Sequence, residues 1–562
     1  MTRMSDRRMK VWAYVLTFAL YLAVGYWLQV RNGFILGDAL SRVSAAQSVL
    51  FSRDPHLAAI GFIFTPLTAM VQIPAIGLSP WWPDLAEKAF AGSVMSALFM
   101  AGSVVQIMGI GTDRGLPRGY IIAITALFAL NPMIVFYGSN GMSEAPFIFF
   151  VTWAVRRLIM WMVDDDVHHL IAAGGIAMAL SYLTRYDAVA CIAAAGVVVF
   201  VTTYRRASPE PRLRRALLDL LLVSGPGLAS FVGWAVASWL ITGLPFAQFS
   251  SQYGNTAILQ QSGLATSDFG GGLVFAATCM MLLAPTLVVL AVWAGVVRLR
   301  RPHWPTLIVP LALFGGVLAF QAYSYASGST FPFLRFYIAV IPFAACLAML
   351  AVPEGTFVTA KRRGTYAPAV ADVIEPRRRW AAYLPVAAVF AITVPATGWA
   401  MTLPEYAPQE YALAAVLRPN PDAVSQRSAV ERSIAATFST ERKIADYLDG
   451  LGLPESSVIV DTVYGFAVVA ASTKPKTFVV PSDPDFTTLL NDPMHTGVEY
   501  LLVVPNEGRG VSDAVNVRYP TIFDTGAEIA TLELEIPNDG DSQPTWRLYR
   551  VAEPVENQSG SP

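Results

Sequence analysis

Ionisable side chains in this chain stand out because they sit at the ends of apolar runs. Asp38 lies in Gly33-Phe-Ile-Leu-Gly-Asp38-Ala-Leu-Ser-Arg42, just after the first such run. Glu144 lies in Tyr137-Gly-Ser-Asn140-Gly-Met-Ser-Glu144-Ala-Pro146, a turn that opens a later run. Leu183-Thr-Arg185-Tyr-Asp187 packs a cation, a phenol and an anion between two runs, and Arg335 stands among aromatics in Thr330-Phe-Pro-Phe-Leu-Arg335-Phe-Tyr337. Ionisable groups at such places in a membrane chain point to ligand or proton chemistry. Asp38 and Glu144 are a pair of carboxylates expected to face one outer cavity. Arg185 and Arg335 suit anion recognition, since a guanidinium matches phosphate geometry.

Each has a plain structural reading. Asp38 is a natural N-cap for an amphipathic helix carrying Leu40, Val43, Ala46, Leu50 and Phe51, with Arg42 one turn later on the same face. Ser143 can cap and Glu144 can complement the helix dipole. Asp187 can pair with Arg185 or cap the next helix, and Arg335 can snorkel to the interface. Two further clusters read as structural. Asp164, Asp165 and Asp166 with His168 and His169 form a solvated loop. Asp483 and Asp485, flanked by Pro481 and Pro484, form a turn.

The elements that must position these groups are membrane spans. Of the 562 residues, 54% are apolar and 14% charged, against roughly 25% charged in a soluble protein. A disordered or disulfide-stapled chain is excluded, and the net charge of −1 gives no basic field for nucleic acid. Cys191, Cys279 and Cys346 all sit in apolar runs, without metal-ligand spacing.

About eleven spans of sufficient length are predicted, at 11–30, 87–110, 119–136, 143–162, 169–183, 187–204, 215–241, 271–297, 305–325, 333–352 and 380–401. The stretch Phe62–Leu78 is short and broken by Pro66 and Pro74. If it does not cross, the clusters at Arg114/Arg118, Arg156/Arg157, Arg205–Arg215, Arg298–Arg301 and Lys361–Arg379 all fall inside, as the positive-inside rule requires. That topology puts the N-terminus in the cytoplasm, the C-terminus outside, and Phe62–Leu78 in or on the outer leaflet.

The expected fold is therefore a polytopic α-helical membrane protein, N-in and C-out, with an extracytoplasmic C-terminal α/β or α+β domain. The transmembrane part covers 1–401, with an external loop at 31–86. A connecting arm with helical pieces covers 402–437, the outer domain 438–555 and a frayed tail 556–562. Strands are predicted at Ser457–Val460, Thr477–Val480, Glu499–Val504, Glu528–Ile536 and Trp546–Val551. A helix is predicted from Ser439 or Thr440 to Leu451, with Glu441 supporting its cap.

Taken together, these residues resemble the GT-C superfamily of integral-membrane glycosyltransferases, within it the protein-mannosyltransferase-like and aminoarabinose-transferase-like members. The matching features come in order. They are an acid after the first span (Asp38) with an amphipathic helix behind it, a proline-bearing stretch (Phe64-Thr-Pro66-Leu67), a carboxylate opening a later span (Glu144), and a soluble domain at the C-terminus. Ser52-Arg-Asp-Pro-His56 and Leu183–Asp187 are similar to actinobacterial members.

The resemblance implies sugar transfer from a polyprenyl-phosphate donor to a glycan, lipid or protein acceptor of the cell envelope, at the outer face of the cytoplasmic membrane. Asp38 takes the general-base role and Glu144 a supporting one. Arg42, His56, Tyr137, Asn140, Arg185, Asp187 and Arg335 are the expected substrate-binding residues, Arg185 and Arg335 by position. Relatives carry Asp-Glu where this chain has Asp38-Ala39, so a divalent cation (Mg or Mn) is left open and no other cofactor is implied. The competing readings are a transporter or lipid flippase, disfavoured by the absence of repeated halves, and a non-catalytic assembly or sensor protein.

Overall fold

A computed structural model describes residues 5–263, 268–298, 304–353, 376–418 and 426–552. The predicted tail 556–562 and the basic residues Arg300, Arg301, Lys361, Arg362 and Arg363 lie outside the described residues. Contacts divide the chain into two units, each built from separated segments. The first comprises Met1–Val24, Ser93–Leu240 and Leu264–Tyr411. The second comprises Gly25–Gly92, Ile241–Gly263 and Ala412–Pro562. The external loop at 31–86 thus groups with the C-terminal residues by contact, although the chain order suggested a division at 401.

Helices occupy every predicted span. Among the described residues, seven are long and apolar enough to cross a bilayer, including Asp6–Arg31, Phe90–Asp113, Glu144–Asp164 and Arg212–Thr242. The predicted span 271–297 is instead two helices, Phe269–Leu283 and Leu287–Val297, bent by 73°. Pro285 sits in the break, where its missing N–H and its ring interrupt the ladder. Arg118–Ala129, Val167–Tyr182 and Leu334–Leu350 are shorter apolar helices. Small residues let neighbours close up: a Cβ on Gly174 would lie 2.3 Å from the Val223 Cα.

The second unit contains a five-stranded sheet in the order β2-β1-β3-β5-β4. Its strands are β1 (Val458–Val460), β2 (Phe478–Val479), β3 (Tyr500–Val503), β4 (Ala530–Ile536) and β5 (Trp546–Val551). All five fall inside the predicted windows. β2, β1 and β3 are parallel, with Val458 opposite both Phe478 and Tyr500; β5 runs antiparallel to β3, and the edge strand β4 antiparallel to β5.

Alternate strand residues serve two cores. Val458, Val460, Leu502 and Leu548 pack with Ile444 and Leu448 on one face. Ile459, Val479, Leu501 and Val503 pack with Leu489, Val515 and Ile522 on the other. The helix Thr462–Ala471 follows β1 so closely that a Cβ on Gly465 would meet the Val460 Cγ2 at 2.3 Å.

The helix Ser439–Leu451 has its predicted bounds, but its N-cap is Phe438, with φ near +62° and no side-chain cap bond. Glu441 is buried and accepts hydrogen bonds from Trp546 Nε1 (2.9 Å) and Asn538 Nδ2 (2.7 Å). It ties the helix to β5 and does not complete a capping box.

Candidate functional site

In the first unit, three turns and one short helix deliver a buried ion network. Glu144 begins the helix Glu144–Asp164 directly after Ser143, and Gly141 turns the chain before it with φ near +82°. Glu144 is 1% exposed. Its Oε1 accepts a hydrogen bond from Arg185 Nη1 at 2.8 Å, and Arg335 Nη1 lies 3.8 Å away. Arg185 also points its Nε at both oxygens of Asp187 (3.1 Å), and Asp187 Oδ2 accepts from Gln321 Nε2 at 2.6 Å. Asp187 stands at the N-cap position of Ala188–Arg206 without a side-chain cap bond, so of the two structural readings the ion pair is the one present.

The guanidiniums are enclosed by aromatic faces. Arg185 lies 5.7 Å from the Phe147 ring and 5.5 Å from Phe336, and Arg335 lies 5.2 Å from both Phe333 and Phe336. A weakly hydrated guanidinium tolerates such burial where an ammonium does not.

Glu410, in the short helix Pro408–Tyr411, joins the same network and was read in the sequence only as part of a connecting arm. Its Oε1 accepts from the Tyr137 hydroxyl at 2.6 Å, and both residues are buried. Burial pushes the Glu410 carboxyl above its usual range. The carboxylates of Glu144 and Asp187 face the guanidiniums of Arg185 and Arg335. One acceptor is left over: Glu144 Oε2 is buried and has no hydrogen-bond partner among the described residues. Asn140 is buried beside this turn, its Oδ1 accepting from the Met142 N–H at 3.1 Å.

In the second unit, Asp38 is the second residue of the helix Gly37–Phe51. The N-cap is Leu36, in extended backbone, so Asp38 is a first-turn residue and not the cap expected from sequence. Its carboxylate lies where the helix dipole favours an anion, and the residue is half-buried. Arg42 is buried; its Nη1 donates to the Asp38 carbonyl oxygen (2.9 Å) and its guanidinium lies 4.2 Å from the Phe64 ring. The Phe64-Thr-Pro66 stretch is thereby packed on the Asp38 helix. His56 is held locally, with Nδ1 2.6 Å from the Asp54 carbonyl oxygen.

The discounted acidic pairs have structural roles here. Arg53 bridges both members of the Asp483/Asp485 pair, with Nη2 3.4 Å from Asp483 and Nη1 donating to Asp485 at 2.9 Å. Asp166 caps the helix at Val167 by accepting from the His168 N–H (3.0 Å). Among the described residues no three His, Cys, Asp or Glu side chains are grouped so as to hold a metal ion.

The units therefore divide the predicted site residues. Tyr137, Asn140, Glu144, Arg185, Asp187 and Arg335 belong to the first, and Asp38, Arg42 and His56 to the second. Glu410 and Gln321 are the additions that sequence reading missed, and Arg53 was read only as part of the Ser52–His56 stretch.

No protein-family model matches the chain, and no curated protein matches it in sequence. Solved structures do. ArnT from Cupriavidus metallidurans bound to undecaprenyl phosphate is similar with a TM-score of 0.53 at 12% identity, covering 96% of this chain and 98% of that one. ArnT in the apo state matches with a TM-score of 0.53 at 13% identity, over 96% and 97%. The S. cerevisiae Pmt1-Pmt2 protein O-mannosyltransferase complex bound to its sugar donor matches at a TM-score of 0.34 and 14% identity, over 45% of this chain and 36% of that one. At such identities the likeness to ArnT is one of fold, and at that level it bears out the GT-C resemblance.

Proposed function

We propose that this chain is a membrane glycosyltransferase of GT-C type that moves a sugar, hexosyl or pentosyl, from a polyprenyl-phosphate donor to a glycan, lipid or protein of the cell envelope. The reaction takes place at the outer face of the cytoplasmic membrane, with the C-terminal part of the chain on that side. The observation that carries this reading is the shared fold with ArnT over 96% of this chain; the ArnT structure holds undecaprenyl phosphate. The half-buried carboxylate of Asp38 at the start of its helix and the spare Oε2 of Glu144 support it.

The step is an inverting displacement. An acceptor hydroxyl oxygen attacks the anomeric carbon from the side opposite the phosphate. The bond from that carbon to the phosphate oxygen breaks, and polyprenyl phosphate leaves with the electron pair. Asp38 takes the hydroxyl proton as general base. Glu144, fixed by Arg185, takes the supporting role. Arg185 and Arg335 are the two arginines proposed for the donor phosphate, by their position.

The test is a transfer assay in membranes with radiolabelled polyprenyl-phosphate mannose and polyprenyl-phosphate arabinose and a crude cell-envelope acceptor. Transfer by the wild type that drops by at least ~100-fold in a well-folded Asp38→Asn is expected for loss of a general base. Equal transfer by both proteins removes Asp38 from the mechanism.

A further inference from the structure

On the first unit, the N-terminal helix and the helix Phe90–Asp113 border a groove of about 520 Å³, lined by Arg7, Lys10, Val11, Tyr14, Val15 and Val105. Its chemistry is divided. Arg7 and Lys10 lie on one turn of the helix, and Val11, Tyr14, Val15 and Val105 supply an apolar wall. Lys10 also feels the charges of Arg156, Arg157, Asp113 and Asp6.

The acids near this patch are already committed. Asp113 is held by Arg156 through two hydrogen bonds, at 2.6 Å and 3.1 Å. Asp6 accepts from Arg118 at 2.9 Å. That leaves Arg7, Lys10 and Arg157 without an ion pair among the described residues, and Arg157 Nε is buried with no hydrogen-bond partner. Arg7 and Lys10 at the apolar wall, with Arg157 near Lys10, suit an anion that carries its own apolar body. Both Val11 and Val15 are about half exposed on the wall side of the helix (53% and 46%), so an acyl chain can lie along them.

We propose that this groove binds an anionic phospholipid, its phosphate between Arg7, Lys10 and Arg157 and an acyl chain along Val11, Val15 and Val105. The charge rule puts these cations on the cytoplasmic side, where anionic headgroups attract basic residues. The site is separate from the ion network of Glu144, and the proposal stands or falls independently of the sugar-transfer reading.

The experiment uses the full chain in detergent with equimolar phosphatidylglycerol and phosphatidylcholine, bound lipid being counted by native mass spectrometry. Wild type is expected to retain phosphatidylglycerol preferentially, and retention to drop roughly fivefold for each cation removed among Arg7→Gln, Lys10→Gln and Arg157→Gln. Lys10→Arg should keep the preference. Equal retention of the two lipids by wild type overturns the proposal without any variant. So does unchanged phosphatidylglycerol retention in the triple variant, provided it elutes as a single species.

Discussion

Glu144 and Asp38 look like a matched pair in the sequence, and the structure gives them opposite surroundings. Glu144 is sealed in an apolar bundle and held by Arg185, with Arg335 near. Asp38 is half-buried on the first turn of a helix, and its neighbour Arg42 bonds its carbonyl oxygen through Nη1. A carboxylate in the first setting is costly to remove or to leave unbalanced, because two guanidiniums depend on it. One in the second setting can be changed with less effect on folding, so its loss reads out chemistry. The same residue type is therefore sealed and ion-paired in one unit and half-buried at a helix start in the other.

The comparison breaks most sharply at Arg185. Arg185→Leu leaves Glu144 and Asp187 buried with one partner cation fewer than they need, and should cost about 3–5 kcal/mol. The expected result is loss of a monodisperse detergent peak or a large fall in the midpoint of thermal unfolding. A variant as stable as wild type would show that the network is not what holds these span ends together.

Next in size is the contrast between Asp38→Asn and Glu144→Gln. The first should lose at least ~100-fold of transfer with an unchanged unfolding midpoint. The second should lose stability together with transfer, since Gln cannot neutralise Arg185. If Glu144→Gln alone were stable and inactive, the roles assigned here would be exchanged.

Much of this contrast was legible in the sequence, and the gaps have physical causes. The strands could be read because β-branched and aromatic residues alternate there between polar breaks, as in Val458–Val460 and Trp546–Val551. The apolar segments could be read because their length and their flanking arginines obey the bilayer. Glu144, Arg185, Asp187 and Arg335 were each found, yet separately: the Glu144–Arg185 contact joins residues far apart in the chain, and no local pattern encodes such a pairing. Glu410 was missed because an acid after Pro408 in a polar stretch has no signal until the fold closes over it. Asp38 was misread as a cap because the residue types allow it; the backbone of Leu36 decides otherwise. Arg53 was seen, but its partners Asp483 and Asp485 lie in the C-terminal segment.

Arg53 supplies a smaller, intermediate effect. Asp483 is 1% exposed in its side chain and Asp485 49%, so Arg53→Ala should cost about 1–3 kcal/mol through Asp483, the buried partner. Faster amide exchange at 478–491 would report it. Unchanged exchange there would mean that the Ser52–His56 stretch is only loosely tied to the C-terminal segment.

The smallest effect concerns Asp461 and Asp513 and is best read through pH. Burial raises both carboxyls above the usual range, Asp513 well above it with Asp461 as the second cause. An acid whose pKa is higher folded than unfolded contributes most below the unfolded value of ~3.9 and loses that contribution as pH rises through the folded one. Asp485 has the opposite sign: the hydrogen bond from Arg53 lowers it, so its contribution is present above ~3.9 and fades as pH falls below. Amide protection across 461–516 should therefore decline along an alkaline limb, as pH rises from ~3.9 through the raised folded range, and along an acid limb, as pH falls below ~3.9. Asp513 caps the helix Ala514–Arg518 by accepting from the Val515 and Asn516 N–H groups, a role that Asn fills equally well. Asp513→Asn should consequently keep the helix, change stability by less than about 1 kcal/mol, and flatten the alkaline limb of the profile while leaving the acid limb to Asp485. An unaltered alkaline limb would assign that limb to other groups and leave Asp513 a simple cap.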